Sequence, residues 1–225
     1  MKHKTAILIF ANSAKIDAER KNFLSAEFFT ELNKQTLNMV KKSGIEYFNF
    51  SEKNQIGNSF GERFTNAIEA VFLKGFETII TIGNDTPHLK THHLINTVQQ
   101  LEKNELVLGP SKDGGFYLMG IHKNQFQKEE FLKFPWQTNR LQSYVTQIGR
   151  NQKVHISFLE ILNDLDTKDD IFKIIHSFRK LSYSIFKLLC LFIFIDKKTN
   201  NLYTLYTLEK SFSKHFNKGS PFIFD

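Results

Sequence analysis

The sequence predicts an α/β fold, a mostly parallel sheet flanked by helices on both faces. Three observations carry this. Short apolar runs rich in Ile, Phe, Val and Thr alternate with longer segments of helical period. Such alternation builds parallel sheets through crossover units. Glycines close the longer segments where helix caps belong. The chain, with 225 residues of which 41% are hydrophobic and 24% charged, is long enough for one sizeable core and a small appendage.

In chain order, "TAILIF" (5–10) reads as the first strand. "EFFTELNKQTLNMVKKSG" follows as a helix, with Phe28, Leu32, Leu37 and Val40 on its apolar face and Gly44 ending it. "IEYFNF" (45–50) is the second strand. "FGERFTNAIEAVFLKG" is a second helix, its face formed by Phe60, Phe64, Ile68, Val71 and Phe72 and closed by Gly75. "FETIITIG" (76–83) is the third strand and "THHLINTVQQLEKN" the third helix. "ELVLG" (105–109), "FYLMGI" (116–121) and "KVHISFL" (153–159) complete the strands, and "KDDIFKIIHSF" opens another helix. "LSYSIFKLLCLFIFI" (181–195) is apolar on all sides, which predicts burial. It is short for a spanning helix and is interrupted by Lys187.

Charge is unevenly spread. The net +7 divides into +5 from Ser177 onward, eight Lys/Arg against three Asp/Glu, and only +2 before it. No basic, aromatic-laced module is visible, so nucleic acid is not an expected partner. The basic, Phe-rich tail suggests either core or dimer packing, or peripheral contact with an anionic membrane. The single cysteine, Cys190, excludes an internal disulfide and a Cys-based zinc site, and its apolar surroundings predict a packed thiol. The apolar run 6–11 is too short for a secretory segment, so the protein is expected in the cytoplasm.

Ligands of such sheets bind at the carboxyl ends of the strands, and three of the loops expected there carry aspartates. "GNDTPHL" (83–89) follows the third strand, "GPSKDGG" (109–115) the fourth and "NDLDTKDD" (163–170) the sixth. Asp85, held extended before Pro87, can ligate a hard divalent cation or cap the next helix. Asp164 and Asp166 alternate along an extended segment and can do the same, or Asp166 or Thr167 can open a helix whose first turn holds Asp169 and Asp170. Asp113-Gly114-Gly115 is a hairpin turn signal, yet its glycines also permit close approach of a ligand to the backbone, with Asp113 as base or hydroxyl acceptor. In "QIGNSFGERF" (55–64), Gly57 and Arg63 stand at a helix N-terminus suited to phosphate, or Ser59 and Glu62 form a capping box. Trp136, the only tryptophan, either lines an acceptor pocket or anchors a loop.

Over roughly Lys4 to Phe178, the order and spacing of "QIGNSFGERF", "TIGNDTPHL", "GPSKDGGFYLMG", "PWQT" and "DLDTKDD" resemble a family of small GT-A-fold, glycosyltransferase-like proteins. That family lies within the nucleotide-diphospho-sugar transferase superfamily and is often associated with radical-SAM/selenodomain proteins, some of them assigned to arsenosugar biosynthesis. The "DTP" step is also similar to the metal-site loop of molybdenum-cofactor guanylyltransferases. The resemblance implies that Asp85 faces metal and nucleotide, and that Asp166, or its neighbour Asp164, fills the second metal position. It further implies that Asp113, Gly114 and Gly115 shape the sugar and acceptor side, with Trp136 nearby. One departure stands out. The family's basic, Pro- and Gly-containing loop after the first strand is replaced by "IFANSAKIDAERKNFL", where Lys15, Arg20 or Lys21 can restore charge but not a tight backbone nest.

The expectation is therefore a GT-A-like domain over residues 1–178 and a C-terminal extension over 179–225, helical and then irregular. The expected activity is transfer from a nucleotide-sugar donor to a small-molecule acceptor with Mg²⁺ or Mn²⁺. The alternatives are a non-catalytic binding or scaffold protein and a nucleotidyltransferase.

Overall fold

The computed structural model describes residues 4–198. Among them six strands form one sheet in the order β2-β1-β3-β5-β4-β6. These are β1 Thr5–Phe10, β2 Glu46–Phe50, β3 Thr78–Ile82, β4 Leu106–Pro110, β5 Phe116–His122 and β6 Ile156–Phe158. β1 pairs in parallel with β2 and β3, and β4 with β6, while β5 is antiparallel to β3 and β4. Five strands thus share one direction. β5 reverses because the link from Ser111 to Gly115 is far too short for the crossover that a parallel neighbour requires.

The helices are α1 Ala14–Arg20, α2 Ala26–Lys42, α3 Phe60–Phe72, α4 Thr91–Leu101, α5 Lys128–Leu132, α6 Leu141–Asn151, α7 Lys168–Ile175 and α8 Tyr183–Lys198. Alternation along β1 assigns the faces. Ala6 and Leu8 point into a core shared with α3 and α6, including Ile68, Val71, Leu141 and Val145. Ile7 and Ile9 point into the opposite core with Met39 and Val40 of α2 and Leu94 of α4. The architecture is α/β and GT-A-like, with helices on both faces of a mostly parallel sheet. α1, α5 and α6 are elements the sequence reading leaves out.

A third core lies outside the sheet. Phe28, Phe29 and Leu32 of α2 meet Ile171 and Ile174 of α7 and Ile185, Leu189 and Ile193 of α8. Among the described residues, α8 is buried on one side. Ile185, Leu189 and Ile193 pack inward, but Tyr183, Leu191 and Phe194 stay 76%, 47% and 50% exposed, and Cys190 is only half-buried beside them. Residues 199–225, expected to be irregular, lie outside the described residues. No described helix is long and apolar enough to cross a membrane.

Candidate active site

Because five strands share a direction, the loops after β1, β2, β3, β4 and β6 open at one rim, and a cleft of about 580 Å³ lies there. Asp85, Asp113, Asp164 and Asp166 all line it, together with Arg63, Gly115 and Trp136. The carboxylates come from three loops, and backbone and side-chain bonds fasten two of those loops together. The Leu165 N–H donates to the Asp85 carbonyl at 2.9 Å, and the Thr86 hydroxyl donates to Asp164 Oδ1 at 2.5 Å. Asp85 and Asp166 cap no helix: Lys90 is the N-cap of α4, and Thr167, the expected alternative to Asp166, is the N-cap of α7 with Asp170 completing its box. Asp85 and Asp166 therefore face the cleft instead.

A cation of the chain's own sits between them. Lys21 Nζ lies 2.8 Å from Asp166 Oδ1 and 3.3 Å from Asp85 Oδ2, and donates to the Leu165 carbonyl at 2.8 Å. Here the segment after β1, with Lys15, Arg20 and Lys21, acquires a structure. The segment forms α1, and Lys21 is its C-cap. The helix is pinned by the buried Asp17 carboxylate, which accepts from the side-chain amides of Asn84 at 2.7 Å and Asn12 at 3.0 Å. Asn84 also donates to Asn33 of α2 at 2.6 Å. The polar ladder fixes α1 against the end of β3 and delivers Lys21 to the acidic loops.

The electrostatics follow from crowding. Burial, then the charges of Asp85, Asp166 and Asp113, push the Asp164 carboxyl well above its usual range, against the Thr86 hydrogen bond. Asp166 is raised by burial and Asp85, and Lys21 opposes the rise; its side chain is 47% exposed, so solvent screens much of this. Burial alone would lower the Lys21 ammonium, but Asp85 and Asp166 outweigh it and hold the proton more tightly than on a free lysine. Asp85 and Asp166 offer oxygen donors of the kind Mg²⁺ or Mn²⁺ takes, and both reach the position that the Lys21 ammonium holds.

On the other side of the cleft, Asp113 closes its own turn. Its Oδ1 accepts from the Ser111 hydroxyl at 2.5 Å and from the Gly115 N–H at 2.9 Å, and Oδ2 has no hydrogen bond among the described residues. The hairpin turn and the cleft-facing carboxylate are thus one arrangement. Gly114 does not line the cleft. It has φ +91°, and a β-carbon there would stand 2.4 Å from the Asn139 carbonyl oxygen, so its role is to let the Trp136–Asn139 loop press against the β4–β5 turn. Gly61, in the first turn of α3, does the same from the other side, because a β-carbon would come within 2.7 Å of Trp136 Cδ1. Trp136 both lines the cleft and packs on Phe60 and Phe64, its indole N–H donating to the Phe131 carbonyl at 2.7 Å. Gly57 lies outside the cleft, shaping the loop into α3, where the Ser59–Glu62 capping box is formed. Residues that sequence reasoning missed here are Thr86 and the Asp17–Asn84 pair; neither has a distinguishing local signal.

A separate group, His92, His93 and Glu160, brings three ligand-type atoms within 4.8 Å of one another. Its bonds are already committed. The Lys90 N–H donates to His93 Nδ1 at 2.9 Å, which puts the ring proton on Nε2 facing Glu160 at 2.8 Å, and Arg179 holds the other Glu160 oxygen at 2.5 Å.

A family model described as "Uncharacterized protein conserved in bacteria (DUF2064)" matches residues 30–138, a stretch holding four of the five motif segments. No curated protein matches the chain. Among solved structures, a provisionally assigned nucleotide-diphospho-sugar transferase from Desulfovibrio desulfuricans superposes with a TM-score of 0.73 at 20% identity, covering 84% of this chain and 98% of that one. A 4-diphosphocytidyl-2C-methyl-D-erythritol synthase from Anaerococcus prevotii superposes with a TM-score of 0.53 at 11% identity, covering 77% and 97%. The fold is that of the nucleotide-diphospho-sugar transferases.

Proposed function

We propose that this chain, built on that fold, is a transferase taking a nucleotide-linked sugar donor in the rim cleft, with Mg²⁺ or Mn²⁺ held by Asp85 and Asp166 and with Asp164 as alternate ligand. The observation that carries the reading is that Asp85 and Asp166, from different loops, both lie within ion-pair distance of a single ammonium. When bound, the metal would neutralise the diphosphate leaving group. The chain's own residues do the rest. Arg63 lines the cleft with no carboxylate partner among the described residues and can pair with a phosphate. Asp113 Oδ2 can accept the proton of an acceptor hydroxyl, its carboxylate held in place through Oδ1. The wall of Trp136 and Phe60 shields the acceptor side from water. The test is thermal stabilisation by nucleotide sugars with Mn²⁺ in the wild type and its loss in Asp85→Ala; absence of stabilisation by any nucleotide would remove the reading.

One observation favours a second reading. Lys21 already pairs with both Asp85 and Asp166, as suits a binding module that has given up metal-dependent turnover. That reading predicts nucleotide binding unaffected by chelator and no product from any nucleotide sugar. Nucleotidyl transfer would instead incorporate label from a nucleoside triphosphate.

A further inference from the structure

We propose that Lys21 is a displaceable internal counterion that gates the cation position and couples cation binding to phosphate binding. The inference rests on the reading of Asp85 and Asp166 as cation ligands and assigns that site its regulation. In the structure the ammonium occupies the gap between both carboxylates, at 2.8 and 3.3 Å, and its third hydrogen bond goes to the Leu165 carbonyl of the same loop. A divalent cation and Lys21 cannot share this gap, because two cations at such spacing repel strongly in a partly desolvated site. Cation binding therefore requires Lys21 to leave.

The lysine is built to stay near when it leaves. It is the C-cap of a short helix whose backbone is anchored, its own N–H donating to the Asp17 carbonyl at 2.8 Å, while Asp17 is held by Asn12 and Asn84. Displacement thus swings a flexible side chain without moving its base. The neighbouring Arg20 lines the cleft, so the released ammonium joins an already basic margin. A ligand phosphate gives it a new partner there. The closed pair then lowers the apparent cation affinity by the fraction of molecules in which Lys21 is out, and a phosphate ligand that holds it out removes that penalty. Linkage makes the coupling reciprocal.

The test measures Mn²⁺ binding by calorimetry and by the paramagnetic signal of free Mn²⁺, alone and with UDP, GDP, CDP or ADP, in the wild type, Lys21→Met, Lys21→Arg and Asp85→Asn. Lys21→Met should bind Mn²⁺ alone at least about tenfold more tightly than wild type, and a nucleoside diphosphate should raise its Mn²⁺ affinity by a clearly smaller factor than in wild type. Lys21→Arg should keep the weak cation-only affinity. Wild-type Mn²⁺ affinity should rise at least about tenfold with the best diphosphate, and this arm needs no variant to fold. Mn²⁺ binding that depends on Asp85 but is equal or weaker in Lys21→Met, or wild-type binding indifferent to every diphosphate, overturns the gate and leaves the proposed function standing. Absence of Mn²⁺ binding in every protein and condition overturns the cation site itself.

Discussion

Replacing Gly114 with alanine should loosen the wall of the cleft that carries Trp136. The residue has φ +91°, and its missing β-carbon faces main chain, 2.4 Å from the Asn139 oxygen and 2.9 Å from the Asn139 carbonyl carbon, so no side-chain rotation relieves the clash. An L-residue in left-handed backbone costs about 1–2 kcal/mol. Moving Asn139 away also strains the adjoining bond from the Gln142 N–H to the Gly114 carbonyl, 3.0 Å long and worth about 1 kcal/mol. Roughly 3 kcal/mol in all corresponds to a fall of roughly 6–12 °C in melting temperature for a chain this size. The chain supplies its own reporter, since Trp136 is its only tryptophan and sits on the displaced loop. Gly114→Ala should melt earlier and show red-shifted native emission as the indole gains water. Unchanged melting and an unchanged emission maximum would refute the argument that this glycine exists for loop closure.

Acid should weaken the protein through His88. Its ring is buried, the Arg179 main chain nearby lies outside hydrogen-bonding geometry, and burial, then Lys90 and Arg179, push its pKa down to about 4. The unfolded chain then binds the extra proton, so stability is whole above about pH 6.5 and falls by roughly 3 kcal/mol toward pH 4. Denaturant titrations at pH 7.5 and 4.5 should show this in the wild type and less of it in His88→Phe; parallel curves would refute it. Asp164→Asn should raise the cation-free melting temperature at pH 7.5, because a carboxyl whose pKa is raised on folding costs stability once pH exceeds its unfolded value. The same variant should weaken Mn²⁺ binding, and a lower melting temperature would contradict the crowding argument. Ser59→Ala removes the hydroxyl that accepts from the Glu62 N–H at 3.1 Å and should cost about 1 kcal/mol of unfolding free energy without changing Trp136 emission.

Much of the site could be read from local chemistry. Asp85 before Pro87, Asp113 beside two glycines and Asp164 with Asp166 each follow an apolar run, and all four reach the cleft. Glycine signals close approach without saying to what, and at Gly57 and Gly114, which the sequence suggests face a ligand, the neighbour is the chain itself. α6 has a legible spacing at Leu141, Val145 and Ile148, but the short apolar runs around it compete with that signal. α1 is seven residues with one buried side chain, Asp17, so no periodic pattern marks it.

The sequence by itself determined the order of the strands and of the longer helices α2, α3 and α4, the faces they bury and the rim on which the aspartates stand, because periodicity and turn chemistry act over a few neighbouring residues. Tertiary structure alone decided that Lys21 lies between Asp85 and Asp166, that Gly61 and Gly114 admit the Trp136 loop, and that one stripe of α8 stays in water. Those outcomes depend on segments far apart in the chain meeting at atomic distances, and steric fit and charge pairing at that range leave no mark on the spacing of residues along one segment.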